Sequence, residues 1–156
     1  MHAQPAVTAW WAALITWAVV NPVNILQGMG FLSRVATGSR AINHLLGMVI
    51  MALALPAGAA LITFWRSGAS WRQWLGLPLF LAFVALALVV DYIAPIEFRE
   101  PMRPAILVPY LLLFFGAILL MGLPMFRLDR RLWFVTLLTT LFLLAAMLWA
   151  MRCGVA

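Results

Sequence analysis

The strongest constraint on this chain is a series of long apolar runs that carry almost no charge, separated by short breaks that hold nearly every ionisable residue. Hydrocarbon offers a backbone N–H or C=O no partner, so a segment that crosses a bilayer has to bond internally. Runs of roughly 20 residues have the length to do that as helices. Only 9% of the 156 residues are charged and 67% are hydrophobic, against about 25% charged in an average soluble domain. A surface so poor in charge has to be covered mostly by lipid. The fold class expected is therefore all-α: a polytopic integral membrane protein with five transmembrane helices in a compact bundle.

The runs place these helices at about 7–27, 41–65, 74–93, 105–126 and 132–151, within one domain covering 1–156. Pro22 is expected to kink the first helix, because it removes a backbone donor. The stretch 28–40, with Ser33-Arg34 and Thr37-Gly38-Ser39-Arg40, reads as a linker. Pro56 and Gly58 interrupt the second helix, which a membrane helix tolerates. Trp71, Arg72 and Trp74 read as an interfacial segment with aromatic rings at headgroup depth. The N-terminus lacks the basic region of a secretory signal, so the first run is read as a retained helix.

The net charge of +6 does not indicate nucleic acid, because the basic residues form no run. All ten are arginines, and each falls in or beside a break between apolar segments, where membrane proteins carry anchoring and topology-setting charge. The absence of lysine is what a GC-rich genome produces, and it points to a bacterial inner membrane. Five spans put the termini on opposite sides. The arginines divide five against five: Arg66, Arg72, Arg127, Arg130 and Arg131 on the N-terminal side, and Arg34, Arg40, Arg99, Arg103 and Arg152 on the other. The dense turn Arg127–Arg131, and the presence of Asp91, Glu97 and Glu100 on the far side, favour a cytoplasmic N-terminus. The single cysteine, Cys153, excludes an intramolecular disulfide and a CxxC pair.

Polar residues concentrate on the side opposite the N-terminus. Asn21, Asn24 and Gln27 fall on one face of the first helix. Arg40, Asn43 and His44 open the second helix. Asp91, Tyr92, Glu97, Arg99, Glu100 and Arg103 end the third helix and fill its loop, and Tyr110 lies early in the fourth. Asp91 follows an unbroken apolar run, so its carboxylate has to pair, protonate or reach water. One reading is an ion pair with Arg40 or Arg34. The other is a proton-handling role shared with His44, the imidazole being titratable near neutral pH. Asp91 and His44 are the candidate catalytic residues; Asn21, Asn24, Arg40, Arg99, Arg103, Glu97 and Tyr110 are the candidate substrate-binding set. The loop Glu97–Pro104, stiffened by Pro95, Pro101 and Pro104, reads either as a solvated loop with local ion pairs or as a lid whose Arg99 and Arg103 clamp an anionic head group. His44 with Asp91, Glu97 or Glu100 offers metal-ligand chemistry, but the spacing does not demand it, and neither a metal nor a cofactor is expected. Thr136, Thr139 and Thr140 share a face of the fifth helix and read as helix packing. No G-x-S-x-G, H-E-x-x-H, Walker loop or dinucleotide fingerprint is present.

These features point to a small membrane protein that binds a lipid-like or other lipophilic molecule at a polar interfacial site, with chemical processing left open. The expected partners are membrane lipids and that lipophilic small molecule, not nucleic acid, in a homo-oligomer or a larger membrane complex. The alternatives are a non-catalytic subunit of a larger membrane complex and a small proton-coupled transporter, the latter suggested by the prolines within helices. Reporter fusions test the topology directly. Fusions at Ser67 and Asp129 are expected on one side of the membrane and a fusion at Arg99 on the other; Ser67 and Arg99 reporting the same side would overturn the five-helix reading.

Overall fold

The computed structural model describes residues 4–39, 41–96, 98 and 103–154, with side chains from Thr8 onward. Among the described residues there is no strand, and five helical spans are long and apolar enough to cross a membrane: Thr8–Thr37, Ala41–Arg66, Trp71–Ile93, Pro104–Leu128 and Arg130–Arg152. They form a compact five-helix bundle.

The first span is one helix, α1 (Gln4–Thr37), unbroken through Pro22. It does not end near Gln27, and most of the expected linker is helical. The physical reason lies in its two glycines. A Cβ added at Gly28 would collide with the Phe142 ring, and one at Gly30 would collide with the Asn43 amide oxygen. In this stretch glycine allows neighbouring helices to approach closely, and the packing outweighs its weak helix propensity. The helix stops at Gly38, whose φ of 65° is left-handed and whose N–H donates to the Arg34 carbonyl at 2.8 Å.

The second span is α2 (Ala41–Ala52) and α3 (Ala54–Arg66), joined by a turn at Leu53. Pro56 accounts for the break, since a proline ring crowds the carbonyl four residues back, here that of Ala52, where α2 stops. Pro78 does the same in the third span. The short α4 (Trp71–Trp74) ends four residues before it, α5 (Gly76–Ala87) follows, and a π-helical segment, Leu88–Ile93, completes the crossing. The fourth span is α6 (Pro104–Gly122) and α7 (Met125–Leu128). Its first residue is a proline, at a position where the missing N–H would be unsatisfied anyway. The fifth span, α8 (Arg130–Arg152), is capped by Asp129, whose carboxylate accepts from the backbone N–H groups of Arg131 at 2.7 Å and Leu132 at 3.5 Å.

Contacts between spans set their directions. α1 and α8 run parallel, because their partners advance together: Trp17 Nε1 donates to the Leu132 carbonyl at 2.9 Å, Asn21 Nδ2 to Thr136 Oγ1 at 3.3 Å, and Asn24 Nδ2 to Thr139 and Thr140 Oγ1 at 3.1 and 3.0 Å. Thr139 Oγ1 donates in return to Asn21 Oδ1 at 2.8 Å. Pro22 deprives the Ala18 carbonyl of its usual donor, while Asn21 Nδ2 also donates to the adjacent Trp17 carbonyl at 2.8 Å. α5 and α6 run antiparallel: Gly76 lies against the backbone of Met121 at one end, and the Phe83 ring lies 5.0 Å from those of Phe114 and Tyr110 at the other. Parallel first and fifth spans place the two ends of the bundle's helical chain on opposite faces.

The polar seam between α1 and α8 is buried, with Asn24 fully covered and Asn21 at 5% exposure. Apolar helices in lipid lack a hydrophobic drive to associate, so such bonds and close packing hold them together. A double-mutant cycle of Asn21→Ala and Thr139→Val, read as stability in detergent, should give a coupling of about 0.6 kcal/mol and no more than about 1.7, the average and upper limit for hydrogen bonds between membrane helices. Strict additivity would show that the bond contributes nothing.

Candidate functional site

The bundle end opposite the N-terminus contains a cavity of about 250 Å³. Four spans and one loop build it. α1 contributes Gln27 and Arg34, and α2 contributes Asn43, His44, Gly47, Ile50 and Met51. The third span contributes Phe83, Val84, Ala87, Val90, Asp91 and Tyr92. The following loop adds Pro95, Ile96 and Phe98, and α6 adds Tyr110. Most of the polar groups come from helix ends, and α2 and the third span add apolar residues from deeper turns, so the cavity is mainly polar at the membrane edge and more apolar toward the bilayer interior.

The π segment organises its chemistry. Two successive residues of this wider turn reach different neighbours. Asp91 meets α6, where Tyr110 Oη donates to Asp91 Oδ2 at 3.2 Å. Tyr92 meets α2, where its hydroxyl donates to the His44 backbone carbonyl at 2.7 Å and its ring lies 4.2 Å from the imidazole at 32°. The segment closes through Ala94 N–H to the Val89 carbonyl and Ile96 N–H to the Val90 carbonyl, both 2.8 Å. Short π turns inside helices are frequent at functional sites.

An aromatic cluster supports the cavity. The Tyr110 ring lies 5.0 Å from Phe83, edge-on at 74°, and 5.3 Å from Phe98. Phe98 is fully buried, so the loop after the third span is anchored into the bundle by its one described aromatic side chain. The backbone N–H of Arg103 donates to the Phe98 carbonyl at 2.9 Å, which ties the end of that loop back to the anchor.

The candidate residues separate into four groups. Asp91, His44 and Tyr110 line the cavity together. Asn21 and Asn24 do not line it; they lie in the seam with α8, bonded to Thr136, Thr139 and Thr140. The three threonines thus pack the fifth helix, as their shared face suggests. Arg103 is exposed and does not line the cavity. Arg40, Glu97 and Arg99 lie outside the described residues. The cation the cavity does include is Arg34, which is only 6% exposed. Gln27, Asn43 and Tyr92 join it as lining residues outside the candidate set. Arg34 follows Gln27 by seven residues, two helical turns, so the pair shares a face as soon as α1 is continued beyond Gln27. No group of three or more His, Cys, Asp or Glu that could hold a metal ion occurs among the described residues.

No family model matches the chain, and no curated protein or solved structure is significantly similar to it.

Gly47 leaves the room that the Tyr92 hydroxyl occupies, and a Cβ there would collide with it. The chain has two tyrosines, so fluorotyrosine labelling gives one fluorine resonance for each. Gly47→Ala should shift the Tyr92 resonance and leave that of Tyr110 nearly in place, with Tyr→Phe variants assigning the two. Unchanged spectra would contradict the packing of Tyr92 over α2.

Proposed function

We propose that the cavity binds the polar end of a lipophilic molecule drawn from the membrane, and that Asp91, Tyr110 and His44 exchange protons or hydrogen bonds with that end. The carrying observation is the Tyr110–Asp91 contact inside a cavity that is mainly polar at its rim and more apolar beneath. A carboxylate at such depth is expensive unless paired or in use, and a phenol within hydrogen-bond reach of it makes a unit that can donate and accept. The volume of about 250 Å³ falls below the roughly 300–1,000 Å³ of pockets that enclose whole drug-sized ligands. It suits a headgroup, with the apolar remainder lying along the lipid-facing side of the bundle. Arg34 and Asp91 put both signs of charge on the lining, which favours a headgroup with both donors and acceptors. The setting proposed is a bacterial inner membrane with a cytoplasmic N-terminus, on the strength of the lysine-free composition and the arginine-dense turn before α8.

Mass spectrometry of the gently purified protein tests this reading. The wild type should retain a stoichiometric lipophile. Asp91→Asn keeps shape and hydrogen bonding but cannot exchange a proton near neutral pH; Tyr110→Phe removes the donor to the carboxylate. Both should lower occupancy by the lipophile, and Tyr110→Phe should cost about 1.5–3 kcal/mol of stability in detergent, the scale of a hydrogen bond to a charged group. Co-purifying subunits in place of a lipophile would favour the non-catalytic reading. A wild type without ligand, and variants unchanged in stability, would remove the site.

A further inference from the structure

The opposite end of the bundle carries a second concavity, larger and differently charged. It is an open groove of about 950 Å³ between the start of the third span and the end of the fourth, closed on one side by Trp133 of α8. Its floor is apolar, with Leu123 and Phe126 both about half exposed, at 57% and 48%. Its rim carries Arg72 and Arg127. The Arg72 guanidinium lies 5.7 Å from the Trp71 ring centroid, and the Trp133 ring meets Phe126 edge-on at 5.0 Å.

From this arrangement we propose that the groove is a binding site for an anionic phospholipid, whose phosphate sits between Arg72 and Arg127 and whose acyl chain lies over Leu123 and Phe126. The charge at this end carries the argument. Five arginines face a single acid, Asp129, and that carboxylate is engaged in capping α8. Among the described residues, neither Arg72 nor Arg127 has an acidic partner. Cationic side chains beside an apolar trough, with tryptophans at headgroup depth, match an amphiphile whose head is negative and whose tail is hydrocarbon. The other end differs, with three acids among its five arginines. The volume of about 950 Å³ is at the upper end of the small-molecule range, which fits an acyl chain with its headgroup better than a compact ion. This site is independent of the Asp91 cavity.

Native mass spectrometry from a non-ionic detergent, with phosphatidylglycerol or phosphatidylcholine added in equal amount, provides the test. The wild type should bind the anionic lipid in preference, and the double variant Arg72→Gln with Arg127→Gln should reduce that preference roughly tenfold or more, as expected for two arginines acting near an anionic surface. Arg103→Gln, at the other end and outside both concavities, should leave it unchanged. In brominated-lipid vesicles, tryptophan fluorescence should be quenched more by phosphatidylglycerol than by phosphatidylcholine, and the double variant should lose the difference. Equal binding of both lipids, a preference insensitive to the double variant, or a loss matched by Arg103→Gln would overturn the proposal. So would a dimer that covers the groove and persists in the double variant.

Discussion

Backbone hydrogen bonding in a medium without water is the constraint on which the rest of this structure depends. It requires helix in every crossing, and it limits irregular backbone to places where protein, or a cavity lined by protein, replaces water. The interruptions obey that limit. Pro56 and Pro78 end short helices four residues before themselves, and each span then resumes its course. The π segment Leu88–Ile93 occurs where the third span reaches the interface and lines the cavity.

Within that frame, α1 is the element that ties the bundle together. It packs against α2, α3, α6 and α8, and two kinds of contact hold it. On one side the Asn21 and Asn24 amides bond across to threonines of α8. On the other, Gly30 lets α2 approach closely enough for Asn43 to lie against the α1 backbone. The same helix then continues to carry Gln27 and Arg34 into the cavity. A structural seam in the middle of the membrane and a chemical site at its edge therefore share one rigid rod, and the position of Arg34 follows from the packing of Asn24.

The two ends of the bundle differ in the use they make of charge. At the cavity, Asp91 and Arg34 line a small space, with Tyr110, Tyr92 and Asn43 supplying neutral donors and acceptors. At the groove, the rim is purely cationic and the single acid is engaged as a helix cap. Mixed charge around a small space suits recognition of one headgroup; single-sign charge beside an apolar floor suits an anionic lipid.

Much of this was legible in the chain. Charge-poor runs of membrane-spanning length require helices, and alternation of five spans sends the polar ends of the first four to one face; both follow from local chemistry and connectivity. The same-face placement of Thr136, Thr139 and Thr140 was legible for the same reason. Other features needed a tertiary partner. Gly28 and Gly30 read as the start of a linker because glycine weakens an isolated helix; only Phe142 and Asn43, distant in sequence, show why helix persists there. Asn21 and Asn24 stand in the candidate binding set because an amide on a helix face can reach a ligand; that they bond the threonines of α8 instead depended on which helix lay opposite. Arg34 joined the cavity only once α1 was known to continue. The sequence by itself determined the element type, the number of crossings and the end at which polarity gathers, because these depend on hydrogen bonding and transfer energy residue by residue. The tertiary structure decided which polar side chains face a cavity and which are spent on packing, because that depends on partners from other spans, 19 and 48 residues apart at the cavity and 115 or more in the seam.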